Sequence, residues 1–221
     1  MLAKDLISDV IPALKTSDSG QKALNWMDIF RISHLPIVNN EDFLGLISDK
    51  DIYDNNMAEE PIGNHNLSLF SPYVTIEQHI YEVIEVASEL QLTVIPVLDS
   101  ENRYQGVVTL NDLLYYFADV SALKQPGGII VLELNSNDYS LTQIAQIVES
   151  NDAKILSSYI TSSHQTTKME VTLKINRKDL TAIIQTFIRF NYVIKASFMD
   201  ENDLNSLYEN RYDSFMKYLN I

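Results

Sequence analysis

The sequence predicts two architectures in one chain: α/β in the first half, built from two copies of a helix–strand–strand–helix unit, and α+β in the second, a βαββαβ domain. Three observations carry this. Landmark residues recur at a spacing of 60 or 61: Pro12 and Pro72, Pro36 and Pro96, Gly45 and Gly106, Ser48 and Thr109, Asp51 and Asp112. A period this regular means two copies of one structural unit. Charge then changes near residue 125, since residues 1–124 carry 7 Lys/Arg against 19 Asp/Glu and the remainder 9 against 11. Finally, the apolar pattern of the second half follows a different order of elements.

In the first copy, Ala23, Leu24, Met27 and Phe30 fall at helical spacing within 21–32. Ile80, Val83, Ile84, Ala87 and Leu90 do the same within 78–90. A short apolar strand around a proline follows each helix, at 34–38 and 94–98. Polar turn clusters at 39–42 and 99–102 lead into second strands at 43–47 and 104–108. Short helices then begin at Ser48 and Thr109, both suited to capping a helix N-terminus. Each copy of about 60 residues buries little core alone, so the two are expected to pack together. The boundaries are 1–60 and 61–122 for the repeats and 123–128 for a linker containing Pro126-Gly127-Gly128. Residues 129–200 follow as strand 129–134, helix 140–149, strands 155–161 and 168–175, helix 180–190 and strand 192–199. That order is the split βαβ arrangement of ferredoxin-like folds. A last helix, 201–221, carries Leu204, Leu207, Tyr208, Phe215 and Leu219 near one stripe and must bury it on this chain or on a partner.

Gly45-Leu46-Ile47-Ser48-Asp49-Lys50-Asp51-Ile52 and Gly106-Val107-Val108-Thr109-Leu110-Asn111-Asp112-Leu113 stand in register. With the aliphatic-Pro-aliphatic strands upstream, they resemble the strand–helix junctions of paired CBS domains over about residues 1–120. The resemblance implies one pseudo-symmetric module with two clefts that take adenosyl ligands such as AMP, ADP, ATP or S-adenosylmethionine. It implies that Asp51 and Asp112 accept from ribose hydroxyls. Ser48 and Thr109 would donate to a phosphate, with Lys50 beside the first. Adenine would lie near Thr16 and Ile37 in one cleft and near Ile76 and Val97 in the other. The same hydroxyls and aspartates also read as helix caps, the aspartate standing three residues inside the helix. With so acidic a half, an AMP-like ligand at the Ser48/Asp51 cleft is preferred to ATP. The second domain resembles an ACT domain in topology, although Asn137-Asp138-Tyr139-Ser140 stands where that family has an Asp-x-Pro-Gly turn, and Asp138 and Ser140 read as caps. The pairing of the two resembles bacterial proteins of the acetoin-utilisation type.

The formal net charge of −14 argues against nucleic acid as a partner. With no cysteine, thiol nucleophiles, disulfides and zinc-thiolate sites are excluded. No apolar run is long enough to span a membrane, and the N-terminus has no apolar signal core, so a cytoplasmic location is expected. The four histidines form no HxxxH or HExxH pair, and neither GxSxG nor GxGxxG occurs. His34 reads as a strand-surface residue, His79 as helical, His65 and His164 as loop residues, and Trp26 as packing. The expectation is a non-catalytic regulatory homodimer sensing an adenosyl nucleotide, with no metal. The alternatives are an interaction module without bound nucleotide and an amino-acid-sensing ACT regulator.

Overall fold

The computed structural model describes residues 1–8, 10–64, 71–162 and 167–199. His65, His164 and the helix expected at 201–221 lie outside the described residues. Two compact units follow one another, Met1–Tyr116 and the part from Phe117 onward.

In the first unit, α1 (Gly20–Phe30) leads to β1 (His34–Asn39), β2 (Asp42–Ser48) and α2 (Asp49–Asp54). Ser19 caps α1 by accepting from the Lys22 amide, and Arg31 closes it in the left-handed conformation. The second copy runs β3 (Val74–Thr75), α3 (Ile80–Glu89), β4 (Val94–Leu98), β5 (Tyr104–Thr109) and α4 (Leu110–Val120). Two differences from the expected helices stand out. His79 is the N-cap of α3, its ring Nδ1 accepting from the Tyr81 amide. Leu90 is the C-cap and stays 39% exposed, so Val86 packs in its place.

Each hairpin is antiparallel and carries the same bulge. Gly45 pairs with Ile37 and Gly106 with Val97, and the register shifts one step later. Their φ angles are 151° and 140°, a region a side chain rarely enters, which is why glycine recurs at this point. β3 lies parallel to β4, and in the first copy a single bridge from Leu14 to Ile37 stands in the same place.

The leading segments are exchanged. Residues 1–8 pair with the second copy. Leu2 bridges His79, Ser8 bridges Val107, and the Ala3 amide donates to the Gln78 carbonyl. Ala3, Leu6 and Ile7 complete the core of the second copy around Val83, Ile95 and Val108. The first copy is completed in turn by Met57 and Ile62, against Leu14, Ala23, Leu35 and Ile37. A fully buried side chain of this size, such as Leu14, Ile37 or Met57, contributes about 1.5–3 kcal/mol. A smaller core of Leu46, Leu92, Val94 and Val107 joins the copies, flanked by Phe43 and Tyr104.

The second unit comprises β6 (Gly128–Asn135), α5 (Leu141–Glu149), β7 (Ile155–Ser162), β8 (Lys168–Ile175), α6 (Thr181–Arg189) and β9 (Val193–Phe198). Its sheet order is β7-β8-β6-β9, with all neighbours antiparallel. The first and third strands are therefore central, as the split βαβ reading requires. Alternate residues Ile130, Leu132, Val171 and Leu173 face Ile144, Val148, Ile183 and Phe187 in one buried core. Gly128, read from the sequence as the end of the linker, already opens β6 opposite Ile175. No described helix is long and apolar enough to cross a membrane.

Candidate functional site

The site elements are the two strand–helix junctions. At the first, the Ser48 amide and hydroxyl both donate to Asp51 Oδ2, at 2.8 and 2.7 Å, and the Asp51 amide donates to Ser48 Oγ at 3.1 Å. At the second, the Thr109 amide and hydroxyl donate to Asp112 Oδ2 at 3.2 and 2.6 Å, and the Asp112 amide returns to Thr109 Oγ1 at 3.1 Å. Both are closed capping boxes. In each, one carboxylate oxygen takes both bonds and the other takes part in neither. The arrangement can offer an acceptor beside a helix N-terminus, where the partial positive charge also favours an anion.

The other expected site residues fall into three groups. Ile37 and Val97 have no exposed surface and belong to the two cores, so their side chains cannot face an adenine; only the backbone there is open to that role. Both strands, β1 and β4, are buried along nearly their whole length, which leaves these side chains inside the cores. Thr16 and Ile76 are half-buried. Thr16 is held by Asn39, whose amide nitrogen donates to Thr16 Oγ1 at 3.2 Å, and Ile76 donates its amide to the Leu98 carbonyl. Lys50 is exposed, and its amide donates to Asp49 Oδ1 at 2.7 Å. Asp49 is thus turned back onto its own helix start.

Sequence reasoning missed the neighbours that fix these loops. Asn39 is one. Its counterpart Asp99 accepts from the Glu101 and Arg103 amides, Arg103 Nε and Gln105. The Arg103 amide in particular holds the Asp99 carboxyl below the usual carboxylate range. His34 is the other. It is the first residue of β1, opposite Ser48, half-buried and bonded to Thr93 rather than lying on the strand surface. Trp26 packs against the first core with Lys22 Nζ 4.4 Å from its ring centroid, and Ser140 caps α5. Among the described residues no group of acidic or histidine side chains is placed to hold a metal ion.

Residues 3–56 and 68–119 each match the CBS domain family model. The first half of the chain is a tandem pair of CBS domains. An inosine-5'-monophosphate dehydrogenase of Methanocaldococcus jannaschii is 32% identical over 112 residues, 49% of this chain and 22% of that protein. The chain thus spans less than a quarter of that relative's length. A Thermotoga maritima CBS domain pair/ACT domain protein is 23% identical, over 54% of this chain and 98% of that one, with a TM-score of 0.47. A Vibrio cholerae protein named for acetoin utilization is 19% identical, over 56% and 95%, with a TM-score of 0.48. The CBS match ends at residue 119, before the βαββαβ unit.

Proposed function

We propose that this chain is a non-catalytic regulatory homodimer whose CBS pair senses an adenosyl nucleotide, AMP in preference to ATP. Its second unit is then an ACT-like domain that transmits the signal or pairs the subunits. The observation that carries the reading is the twice-built cap, with one uncommitted carboxylate oxygen at Asp51 and one at Asp112. Carboxylates accept only, and a ribose diol supplies two donors. The acidic surroundings, 19 Asp/Glu against 7 Lys/Arg in residues 1–124, favour the less charged nucleotide. A ligand that touches both copies regulates only through unequal affinity for their arrangements.

The closure of both capping boxes favours a second reading, an interaction module with no bound nucleotide. Calorimetric titration with AMP, ATP and S-adenosylmethionine separates the two. The nucleotide reading expects saturable AMP binding near micromolar affinity, about −8 kcal/mol, weakened in Asp51→Ala without unfolding. The interaction reading expects no heat from any ligand. In that case Ser48→Ala still costs about 0.5–2 kcal/mol of stability as a lost cap. Light scattering on the same sample checks the dimer.

A further inference from the structure

The junction between the two CBS repeats carries a hydrogen-bonded chain that neither cap requires. Ser33 and Thr93 occupy equivalent places, each one residue before its proline-containing strand. The Asp49 amide donates to the Ser33 carbonyl at 3.1 Å, and the Leu110 amide to the Thr93 carbonyl at 3.3 Å. Asp49 and Leu110 are the first residues of α2 and α4, directly after Ser48 and Thr109. Each cap is therefore tied to Ser33 or to Thr93. These two are tied to each other, since the Ser33 amide donates to Thr93 Oγ1 at 3.0 Å.

There the symmetry breaks. β1 begins with His34, and β4 begins with Val94. His34 Nδ1 lies 3.1 Å from Thr93 Oγ1 and accepts the Thr93 amide at 3.4 Å. Ser33 occupies one lone pair of the Thr93 hydroxyl, whose own proton is left to point at Nδ1. Nδ1 can accept from the Thr93 amide only without a proton of its own, so this bond belongs to the neutral imidazole with its proton on Nε2. Burial holds the imidazole below its ordinary pKa, while the Asp49 and Asp51 carboxylates of α2 work the other way. On the β4 side the ring meets Thr93, which does not ionise.

We propose that His34 and Thr93 form a proton-sensitive coupling between the two caps. With His34 neutral the chain Asp49–Ser33–Thr93–Leu110 is closed and the caps respond together. A proton on Nδ1 takes the acceptor away from the Thr93 amide, frees the backbone of residue 93 and so loosens its carbonyl's hold on the Leu110 amide. His34 is a positioning residue in this scheme. The consequence for ligand binding rests on the nucleotide reading above, whereas the coupling is measurable in the free protein.

The test is an NMR titration of the full chain from about pH 8 to pH 5, following the His34 ring and the Asp49 and Leu110 amides. The expected midpoint lies below the ordinary histidine value of about 6.5. Both amides should move with that midpoint. Thr93→Val keeps both backbone bonds of residue 93 but removes the tie from Ser33, so Leu110 should still follow His34 while the response of the Asp49 amide falls. A Leu110 amide indifferent to His34 in the unaltered protein overturns the coupling, and a midpoint above the ordinary value overturns the neutral state. AMP titrations at the two ends of the range form a second arm. The phosphate gains a proton near pH 6 itself, so the comparison is with His34→Gln at the same pH. The unaltered protein should lose more affinity on acidification than that variant does. Absence of AMP binding at either pH ends the nucleotide reading, and the amide shifts still decide the coupling.

Discussion

Ser48 and Thr109 each accept from one amide and donate to one carboxylate, so a single hydroxyl both starts a helix and fixes the aspartate beside it. Roles of this kind are local in sequence, three residues apart, and for that reason they were readable without coordinates. Tyr104 is the opposite case. Its phenol oxygen is buried with no hydrogen-bond partner among the described residues, its side chain packs against the core of Leu46 and Val94, and burial pushes its pKa well above the usual value. An unsatisfied buried hydroxyl costs about 1–3 kcal/mol. The ring itself contributes favourably, stacked on Phe43 with centroids 6.4 Å apart. Tyr104→Phe is therefore expected to raise stability by about 1 kcal/mol, read as a shift of the urea midpoint at constant slope. A loss of stability would mean the hydroxyl finds a partner in solution. Nothing in the sequence marks this residue, because part of its surroundings, Leu46 and Phe43, comes from 58 and 61 positions away.

At the level of elements, the recurring glycine bulge and the exchanged leading segment meet at one point. A Cβ on Gly106 would sit 2.5 Å from Ile7 Cγ2, at a φ of 140°. Gly106→Ala therefore combines backbone strain of about 1–3 kcal/mol with displacement of residues 1–8. It should lower the denaturation midpoint and speed proteolysis ahead of Pro12. Removal of residues 1–8 alone should reproduce the part of the midpoint loss that comes from their displacement. Equal proteolysis of the variant and the unaltered chain would show the segment to be held by other contacts. The strands, helices and their caps were legible because apolar periodicity and turn residues are local signals. Leu90 and Gly128 were misplaced because helix and strand ends depend on capping geometry more than on hydrophobicity. The docking of Ala3 and Ile7 on the second repeat was illegible, since an apolar residue announces that it is buried but not against which copy. The inward turn of Ile37 and Val97, and the bond from His34 to Thr93, needed side-chain direction as well.

For the molecule as a whole, charge separates the two units. The acidic half carries 12 more Asp/Glu than Lys/Arg, whereas the second half exceeds balance by only 2. Self-repulsion of that size destabilises the compact state and is screened by salt, the Debye length falling from about 30 Å at 0.01 M to about 10 Å at 0.1 M. Hydrogen exchange followed on heating should show the CBS pair gaining stability with salt across that range while the βαββαβ unit holds nearly constant. Equal gains in both would mean that net charge is not what limits the first half.

The exchanged leading segments also set an order of events during synthesis. The first repeat's core, from Leu14 to Ile62, is complete within one continuous stretch of chain. The second repeat's core needs Ala3 and Ile7 from ahead of the first repeat and Val108 and Leu113 from near its own end. On the ribosome the first repeat can therefore close while the opening residues wait, uncovered, for about a hundred more to be made. At about 5–20 residues per second, that interval lasts roughly 5–20 seconds, and throughout it Ala3 and Ile7 lack the core that will cover them.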